Sequence, residues 1–386
     1  MRGIGTSAIG IRTLNIVKSG ENLTEVVLAA LKRAIDNNEI VLKNRDILGI
    51  TESLLARCQS NFVTFDNIRE DLINKFGENE EVGIVFPIFS RNRFLLILKA
   101  ISRSFKKVYV QLNYPNDEVG NPLVNSEAFR SSGVNPYSDS FTENEFRKLF
   151  SKEEILHPFT GIDYIELYKN AGDNIEIIIS NKAETILEYT NNVIVSDIHT
   201  RFITKKLLEK KNVKVFRLDE IMNSSINGSG YNKEYGLLGS NYSMEDTLKL
   251  FPRDGQEFVD GLQKEIKKIY GKNIEVMIYG DGAFKDPVCG IWELADPVVS
   301  PFYTEGLIGT PNELKLKYLV DSNKMSEDEM KSKIKERQNT KQESLGTTPR
   351  KITDLVGSLC DLVSGSGDKG TPIVLVQGYF DNYSDN

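Results

Sequence analysis

The strongest constraint on the fold is a repeated alternation of strand-like and helix-like segments between residues 82 and 218. Apolar, β-branched runs recur there as VGIVFPIF (82–89), KVYVQLNYP (107–115), NIEIIIS (174–180), NNVIVSD (191–197) and VKVFRL (213–218). Helical spacing in FLLILKAISRSF (94–105) and a lysine-rich helix near 200–211 separate some of these runs. Because parallel strands need long crossover connections, usually helices, this order predicts an α/β fold with mostly parallel strands.

The N-terminal segment extends the same pattern. NLTEVVLAALKRAI (22–35) has the apolar spacing of an amphipathic helix, and Asn22 with Glu25 forms a capping pair at its start. A strand is expected next, at DILGITES (46–53). One further α/β element therefore precedes the alternating region.

A polar loop, NSSINGSGYN (223–232), marks the best domain boundary in the second half of the chain. Beyond it, Asp254 and Glu257 predict a second capping box, ahead of an amphipathic helix and the strand VMIY. We therefore predict two domains: an inserted α/β domain at 81–230, and an outer domain formed by 1–80 together with 231–386.

Composition excludes several classes of partner. The net charge is −7, and lysine and arginine are not concentrated into a track for a phosphate backbone. The longest apolar runs are far shorter than the roughly 20 residues that span a bilayer, and the start MRGIGTSAIGIRT has no sustained apolar stretch. We expect a cytoplasmic protein that binds neither nucleic acid nor a membrane. Its three cysteines and two histidines lack the spacing of a zinc site.

An aspartate between two glycines ends the apolar run EVMIY. Asp281 stands between Gly280 and Gly282, where a carboxylate at a strand end with a closely approaching backbone suits a divalent ion and phosphate. The same YGDG sequence also suits an ordinary turn, in which the aspartate bonds its own backbone. The pattern leaves both interpretations open.

A glycine-rich loop, SGSGDKG, lies between a helix that starts near residue 348 and a last strand, TPIVLVQGY. Gly365, Gly367 and Gly370 match GxGxxG, but the order helix, loop, strand excludes a dinucleotide fingerprint, which must follow a strand and open a helix. Successive backbone N–H groups could still cup phosphates beside Lys369, or the loop could simply end the helix.

A third candidate is DIHTR (197–201), which ends a predicted strand with Asp197, His199 and Arg201 close together. These residues could form an acid/base or anion site, or His199 could be a surface or capping group beside a helix start. No G-x-S-x-G elbow lies at a strand-to-helix turn, and no cysteine has an evident local activator. A serine or cysteine hydrolase is therefore disfavoured.

Two ends of the chain together resemble a known family. The first is GIRTLNIVKSGENLTEVV followed by DILGITESLLARCQSN; the second runs from YGLLGSNYS through LKLFPRDGQEF, GKNIEVMIYGDG and TEGLIGTPNELKLKYLVD to KITDLVGSLCDLVSGSGDKGTPIVLVQGY. In order and spacing they are similar to the coenzyme F(420) γ-glutamyl ligases. That family joins L-glutamate to a deazaflavin precursor using GTP and a divalent metal. No counterpart of the region 81–230 is recognised in the short members of that family.

The resemblance implies a set of site residues and ligands. It implies GTP as a substrate and Mg²⁺ or Mn²⁺ as the metal, with L-glutamate and a small carboxylate acceptor as the joined molecules and a homodimer as the assembly. Asp281 and Asp368 would hold the metal. The residues implied to contact the nucleotide are Gly10, Ile11, Arg12, Thr13, Ser53, Arg57, Gly365, Ser366, Gly367, Asp368, Lys369 and Gly370.

The chain departs from the family pattern at three places. Gly239 stands where the family has an aspartate before a small residue and asparagine, here Ser240 and Asn241; Ser366 replaces an acidic residue; and Arg57 replaces a lysine. A two-metal phosphoryl site would therefore be depleted, unless Asp281, Asp368 or Asp246 binds the metal differently. The sequence predicts a nucleotide- and metal-dependent amide ligase, with two alternatives: a non-catalytic nucleotide-binding homologue, and an interaction protein whose two sites are inert.

Overall fold

The computed structural model describes residues 5–91, 93–280, 283–285, 292–294, 299–311, 326–338, 351–364 and 370–381. The chain divides into two compact units. Unit 1 comprises 1–58, 254–282 and 298–386, and unit 2 comprises 59–253 and 283–297. Asp281 and residues 365–369 lie outside the described residues.

The described part of the chain contains sixteen strands and twelve α-helices, numbered here in chain order. Strands β1 to β16 are Ser7–Ile11, Ile47–Thr51, Phe62–Thr64, Glu81–Val85, Lys107–Leu112, Ser140–Thr142, Ile175–Ser180, Asn192–Val195, Lys214–Arg217, Asn241–Met244, Thr247–Lys249, Glu275–Tyr279, Ala283–Lys285, Trp292–Leu294, Phe302–Tyr303 and Ile373–Gln377. Helices α1 to α12 are Leu23–Asp36, Glu52–Cys58, Phe65–Phe76, Phe94–Ser102, Ser126–Ser131, Glu143–Leu149, Lys152–Ile155, Tyr164–Lys169, Arg201–Glu209, Gly255–Tyr270, Glu327–Gln338 and Ile352–Ser364.

Unit 1 is built on a mixed five-stranded sheet in the order β1-β16-β2-β12-β15. β2 and β12 are parallel, whereas β16 runs antiparallel to both β1 and β2. Successive residues of a strand face opposite sides of a sheet. Leu48 and Ile50 accordingly pack with α1 and α10, while Ile47 packs with Val356 and Cys360 of α12. The central strand is therefore covered on both faces.

Unit 2 contains a six-stranded sheet in the order β6-β7-β5-β4-β8-β9. Five of its strands are parallel, and β6 is an antiparallel edge strand. Ile177 and Ile179 face a core that includes α3, α4 and α8, whereas Ile178 faces a core that includes Leu208 of α9. Unit 2 also holds a three-stranded sheet, β10-β11-β3, and the pair β13-β14.

The α/β fold predicted from the sequence is confirmed, and the repeated strands of 82–218 form the parallel sheet of unit 2. The capping pair is also present, because Asn22 Oδ1 accepts from the backbone N–H of Thr24 at 3.1 Å and Asn22 Nδ2 donates to Glu25 at 3.0 Å. None of the described helices is long and apolar enough to cross a bilayer.

The second predicted capping box is wrong. Asp254 precedes α10 with a left-handed backbone, φ +52°, and its side chain makes no capping hydrogen bond to the helix. An N-cap side chain reaches the N2 or N3 amide from an extended backbone, which this residue does not adopt. Helix α10 is instead stabilised by its buried apolar face, formed by Val259, Leu262 and Ile266.

Candidate active site

Three distant segments of the chain meet at one edge of the unit 1 sheet. Ile373 of β16 pairs with Ile11 of β1 on one side and with Ile50 of β2 on the other. The carboxyl ends of β1 and β2 therefore coincide with the amino end of β16. A backbone hydrogen bond from Thr51 to Pro372, 3.0 Å long, fixes this junction.

A cleft of about 1140 Å³ opens at this junction. It is lined by Arg12, Thr13, Leu14, Asn15, Ile16, Val17, Lys18, Glu21, Thr51, Ser53, Leu54, Arg57, Asp361, Ser364, Gly370, Thr371 and Pro372. Five residues that the sequence nominated for nucleotide contact are therefore brought together: Arg12, Thr13, Ser53, Arg57 and Gly370. The volume is slightly above the range of about 300–1000 Å³ that is typical of small-molecule sites.

Two other nominated residues lie inside β1 and do not line the cleft. Ile11 is buried, with its side chain in the core of unit 1. Gly10 packs against Thr371, and a Cβ built at this position would lie 3.2 Å from the Thr371 side chain. The Ile11 side chain therefore anchors β1 in the core, and Gly10 leaves room for Thr371, which lines the cleft.

Among the described residues that line the cleft, positively charged side chains outnumber negatively charged ones. Arg12, Lys18 and Arg57 are exposed cations, against the two lining carboxylates Glu21 and Asp361. Across the described ranges, no carboxylate lies within ion-pair distance of these three cations. Uncompensated lysine and arginine side chains favour an anionic ligand, and the planar guanidinium suits the paired oxygens of a phosphate or carboxylate.

The two ends of the glycine-rich loop also line this cleft. Ser364 at the end of α12 and Gly370 before β16 both contribute to the lining. The Thr371 hydroxyl donates to the Ser364 carbonyl at 2.9 Å, which ties the two ends together. Gly370 has φ +62°, a backbone that glycine adopts without strain. Gly365, Ser366, Gly367, Asp368 and Lys369 themselves lie outside the described residues.

Asp281, the predicted metal ligand, follows β12, and the carboxyl end of β12 lies next to the carboxyl end of β2. Tyr279, the last residue of β12, pairs in parallel with Thr51, the last residue of β2, and the next amide, Gly280, donates to Val299 at 2.8 Å. Asp281 is not among the described residues, so its assignment stays a prediction. The described residues contain no cluster of three or more histidine, cysteine, aspartate or glutamate side chains suited to a metal.

Sequence reasoning missed part of the cleft lining. The segment from Leu14 to Lys18, which links β1 to α1, forms one side of the cleft, and Ile16 in it is 88% exposed. The sequence offered one signal for this segment: it directly follows the GIRT run (10–13), which is nominated for nucleotide contact. Asp361 was missed because its place on α12 gave no sign that this helix ends at the cleft.

The other nominated carboxylates lie in unit 2. Asp246 forms an ion pair with Arg103 at 2.7 Å, and both side chains are about half exposed. Asp197 and Thr200 of the DIHTR segment line a separate, smaller cavity, whereas His199 is exposed and is not among its lining residues. Neither carboxylate belongs to a described metal-binding cluster.

Close packing explains why position 239 holds a glycine, where the family resemblance implies an aspartate. A Cβ built on Gly239 would lie 2.4 Å from the ring of Phe251, which is fully buried. Any side chain at this position, an aspartate included, would require Phe251 to move. The neighbouring Ser240 is buried, and its hydroxyl has no hydrogen-bond partner among the residues described.

The mixed sheet of unit 1 and the cation-lined cleft at its edge define an α/β protein with a site suited to a small anionic ligand. A family model described as F420-0:gamma-glutamyl ligase matches residues 10–378, from the first strand of unit 1 to the last. The chain therefore belongs to the F420-0:gamma-glutamyl ligase family, and this membership supports a ligase role. No curated protein sequence is significantly similar to the chain.

Proposed function

We propose that the protein is a nucleotide-dependent amide ligase that adds L-glutamate to a carboxylate acceptor related to the deazaflavin coenzyme. The observation that carries the proposal is the cleft of unit 1, in which Arg12, Ser53, Arg57 and Gly370 come from distant parts of the sequence to one sheet edge. Family membership supplies the reaction class and the glutamate substrate. GTP is the nucleotide that the family resemblance favours.

The chemistry requires activation of the acceptor carboxylate. A carboxylate oxygen attacks the γ-phosphorus of the nucleotide, forming an acyl phosphate and releasing the nucleoside diphosphate. The free amine of glutamate then attacks the acyl carbon, phosphate leaves, and the nitrogen loses a proton to give the amide. Arg12, Lys18 and Arg57 would offset the charge on the phosphoryl oxygens, which is the main task of a protein in such a transfer.

A divalent metal, when bound, would supply further positive charge during the transfer. Asp281 and Asp368 are the side chains that we propose to hold it. The described lining of the cleft offers Glu21 and Asp361, which do not form a metal-binding cluster with a third ligand in the described part of the chain. The described residues therefore support phosphate binding more directly than metal binding.

Calorimetric titration of GTP and ATP, with and without Mg²⁺ or Mn²⁺, tests the site. Arg57→Ala should weaken nucleotide binding about 10- to 100-fold, since a hydrogen bond to a charged group contributes about 1.5–3 kcal/mol. Arg57→Lys should fall between wild type and alanine, because it keeps the charge and loses the guanidinium fork. Arg130→Ala, at an exposed arginine of α5, is the matched control and should bind like wild type.

Metal dependence and turnover are tested separately. Asp281→Ala should abolish the metal-dependent part of nucleotide binding. A mixture of protein, GTP, Mn²⁺, L-glutamate and the deazaflavin precursor should yield a product one glutamyl residue heavier, together with GDP and phosphate, by mass spectrometry. Binding of neither nucleotide under any of these conditions would refute the assignment of the cleft.

A non-catalytic nucleotide-binding homologue is the second candidate, and the packing at Gly239 favours it. The site of one family carboxylate is sterically closed by Phe251, and Ser366 removes a second acidic residue. Nucleotide binding that is retained without any glutamyl product would support this candidate. Product formation would exclude it.

A further inference from the structure

The parallel sheet of unit 2 has a point where the strand order reverses. In chain order its parallel strands are β4, β5, β7, β8 and β9, and in space they run β7-β5-β4-β8-β9. The connection after β4 leads to its neighbour β5 on one side, and the connection after β8 leads to β9 on the other side. This divergence leaves a crevice at the carboxyl ends of β4 and β8, which is where ligands bind in open α/β sheets. A cavity of about 280 Å³ lies at these ends, lined by Phe86, Asn113, Tyr114, Asn116, Asp117, Glu118, Asn181, Asp197, Thr200 and Thr204.

Asp197, two residues after β8, presents a buried carboxylate to this cavity. The residue is 1% exposed. Its Oδ2 accepts hydrogen bonds from the hydroxyls of Thr200 at 2.6 Å and Thr204 at 2.8 Å, whereas Oδ1 has no partner among the described residues. Burial raises the pKa of Asp197, and the negative charge of Glu118 raises it further. A buried carboxylate oxygen without a donor is costly, and a ligand that donates to it would recover that cost.

The carboxylate of Glu118 occupies the place in the crevice where backbone N–H groups would otherwise bind an anionic ligand. Its carboxylate accepts from three successive backbone N–H groups, those of Ile198 at 2.7 Å, His199 at 3.0 Å and Thr200 at 2.8 Å. These amides precede α9, where an α/β fold of this kind would otherwise bind a phosphate. An anionic ligand is therefore disfavoured, because the donors are taken and a second carboxylate lies nearby.

Two further ligand classes fit poorly. The dinucleotide fingerprint requires glycine after the first strand, and this position holds Phe86, whose φ of +59° is rare for a bulky residue. A metal ion would need a cluster of ligating side chains, and none of three or more is found in the described ranges. Among the described residues that line the cavity there is no lysine, arginine or histidine.

We propose that this cavity binds a small organic ammonium ion, whose N–H groups donate to Oδ1 of Asp197 while Glu118 supplies a second negative charge. The cavity is slightly smaller than the range of about 300–1000 Å³ usual for drug-sized ligands, so the molecule is the size of a diamine or an amino alcohol. Asn113 and Asn116 offer amide groups for the remaining polar atoms of the ligand. This site is separate from the cleft of unit 1.

Titration of the full chain with putrescine, followed by ligand-observed NMR, tests the site. The neutral isostere 1,4-butanediol is the matched control ligand. Putrescine should bind saturably, and the diol should not. Asp197→Asn should weaken putrescine at least about 10-fold, as expected for the loss of a charge-assisted hydrogen bond. Asp173→Asn, at an exposed aspartate before β7 and thus at the opposite end of the sheet, should bind like wild type.

Asparagine retains an acceptor for Thr200 and Thr204, and a thermal melt checks that the variant is folded. Glu118→Gln gives an independent measurement, because it removes the second charge and leaves Asp197 in place; putrescine should then bind several-fold more weakly. The proposal is overturned if butanediol binds as tightly as putrescine, if both variants bind putrescine like wild type, or if no saturation is reached by about 10 mM, a limit weaker than the millimolar affinity of the poorest specific ligands.

Discussion

Replacing Gly49 with alanine should lower the free energy of unfolding of unit 1. The size of the loss should depend mainly on one neighbour, Cys360. Gly49 lies in β2, and an added Cβ would stand 2.6 Å from Sγ of Cys360, 3.2 Å from Cδ1 of Tyr279 and 3.3 Å from Cβ of Cys360. Both neighbours are buried and cannot swing into solvent. Forcing one extra methyl group into a packed core costs about 1–3 kcal/mol, and the shortest distance favours the upper half of this range.

The cost should fall sharply when Cys360 is also replaced. Cys360→Ala alone should cost about 1 kcal/mol for the buried sulfur. In the double variant the closest atom is gone, and the remaining distances of 3.2 and 3.3 Å require the neighbours to shift by only a few tenths of an ångström. The combined loss should therefore be smaller than the sum of the single losses by at least about 1 kcal/mol, within the range measured for residues in contact.

Native-state hydrogen exchange of the β2 and β16 amides is the appropriate assay, since a chain of two compact units need not unfold in one step. Gly261→Ala, at a glycine of α10 with open space around its Cβ position, is the matched control and should not lower protection. Strict additivity of Gly49→Ala and Cys360→Ala, within about 0.5 kcal/mol, would refute the steric argument.

Three further outcomes follow from single residues. Asp197→Asn should raise the stability of unit 2 by about 1–3 kcal/mol, because it removes a buried charge whose Oδ1 has no hydrogen-bond donor among the described residues; a lower melting temperature would contradict this. Burial raises the pKa of Cys58 to about 11 and of Cys360 to about 12, so little thiolate exists at pH 8, and peptide mass spectrometry should find both unmodified by iodoacetamide until urea is added. Asn22→Ala should cost about 1 kcal/mol in thermal or urea unfolding through the lost cap of α1, and unchanged unfolding would exclude that role.

Much of the secondary structure could be predicted because its signals are local. The alternation in KVYVQLNYP and the apolar spacing of 22–35 appear directly as β5 and α1. The Asn22 cap could be predicted from the side chains alone. The Asp254 cap could not, because spacing does not reveal that this residue has a left-handed backbone.

The cleft could not be predicted from local sequence patterns, because its formation depends on the order of strands in the sheet. Arg12, Ser53 and Gly370 meet only because β16 lies between β1 and β2, and that strand order is not encoded in periodicity. The family resemblance nominated these residues, and the sheet register supplies their common edge. The nest of amides around Glu118 was missed for the same reason: the loop after β5 reaches the loop after β8, about 80 residues later in the chain.

The place of β16 also has a consequence for the order in which the protein is made. The sheet of unit 1 cannot be completed until residues 373–377 have been synthesised, more than 300 residues after β2. β2 can pair with β12 earlier, but at about 5–20 residues per second its second neighbour, β16, follows only after roughly 16 to 65 seconds. The stretch 59–253 leaves the ribosome uninterrupted during that interval. A nascent chain halted before residue 373 should therefore protect unit 2 from protease while its first 58 residues are still cleaved.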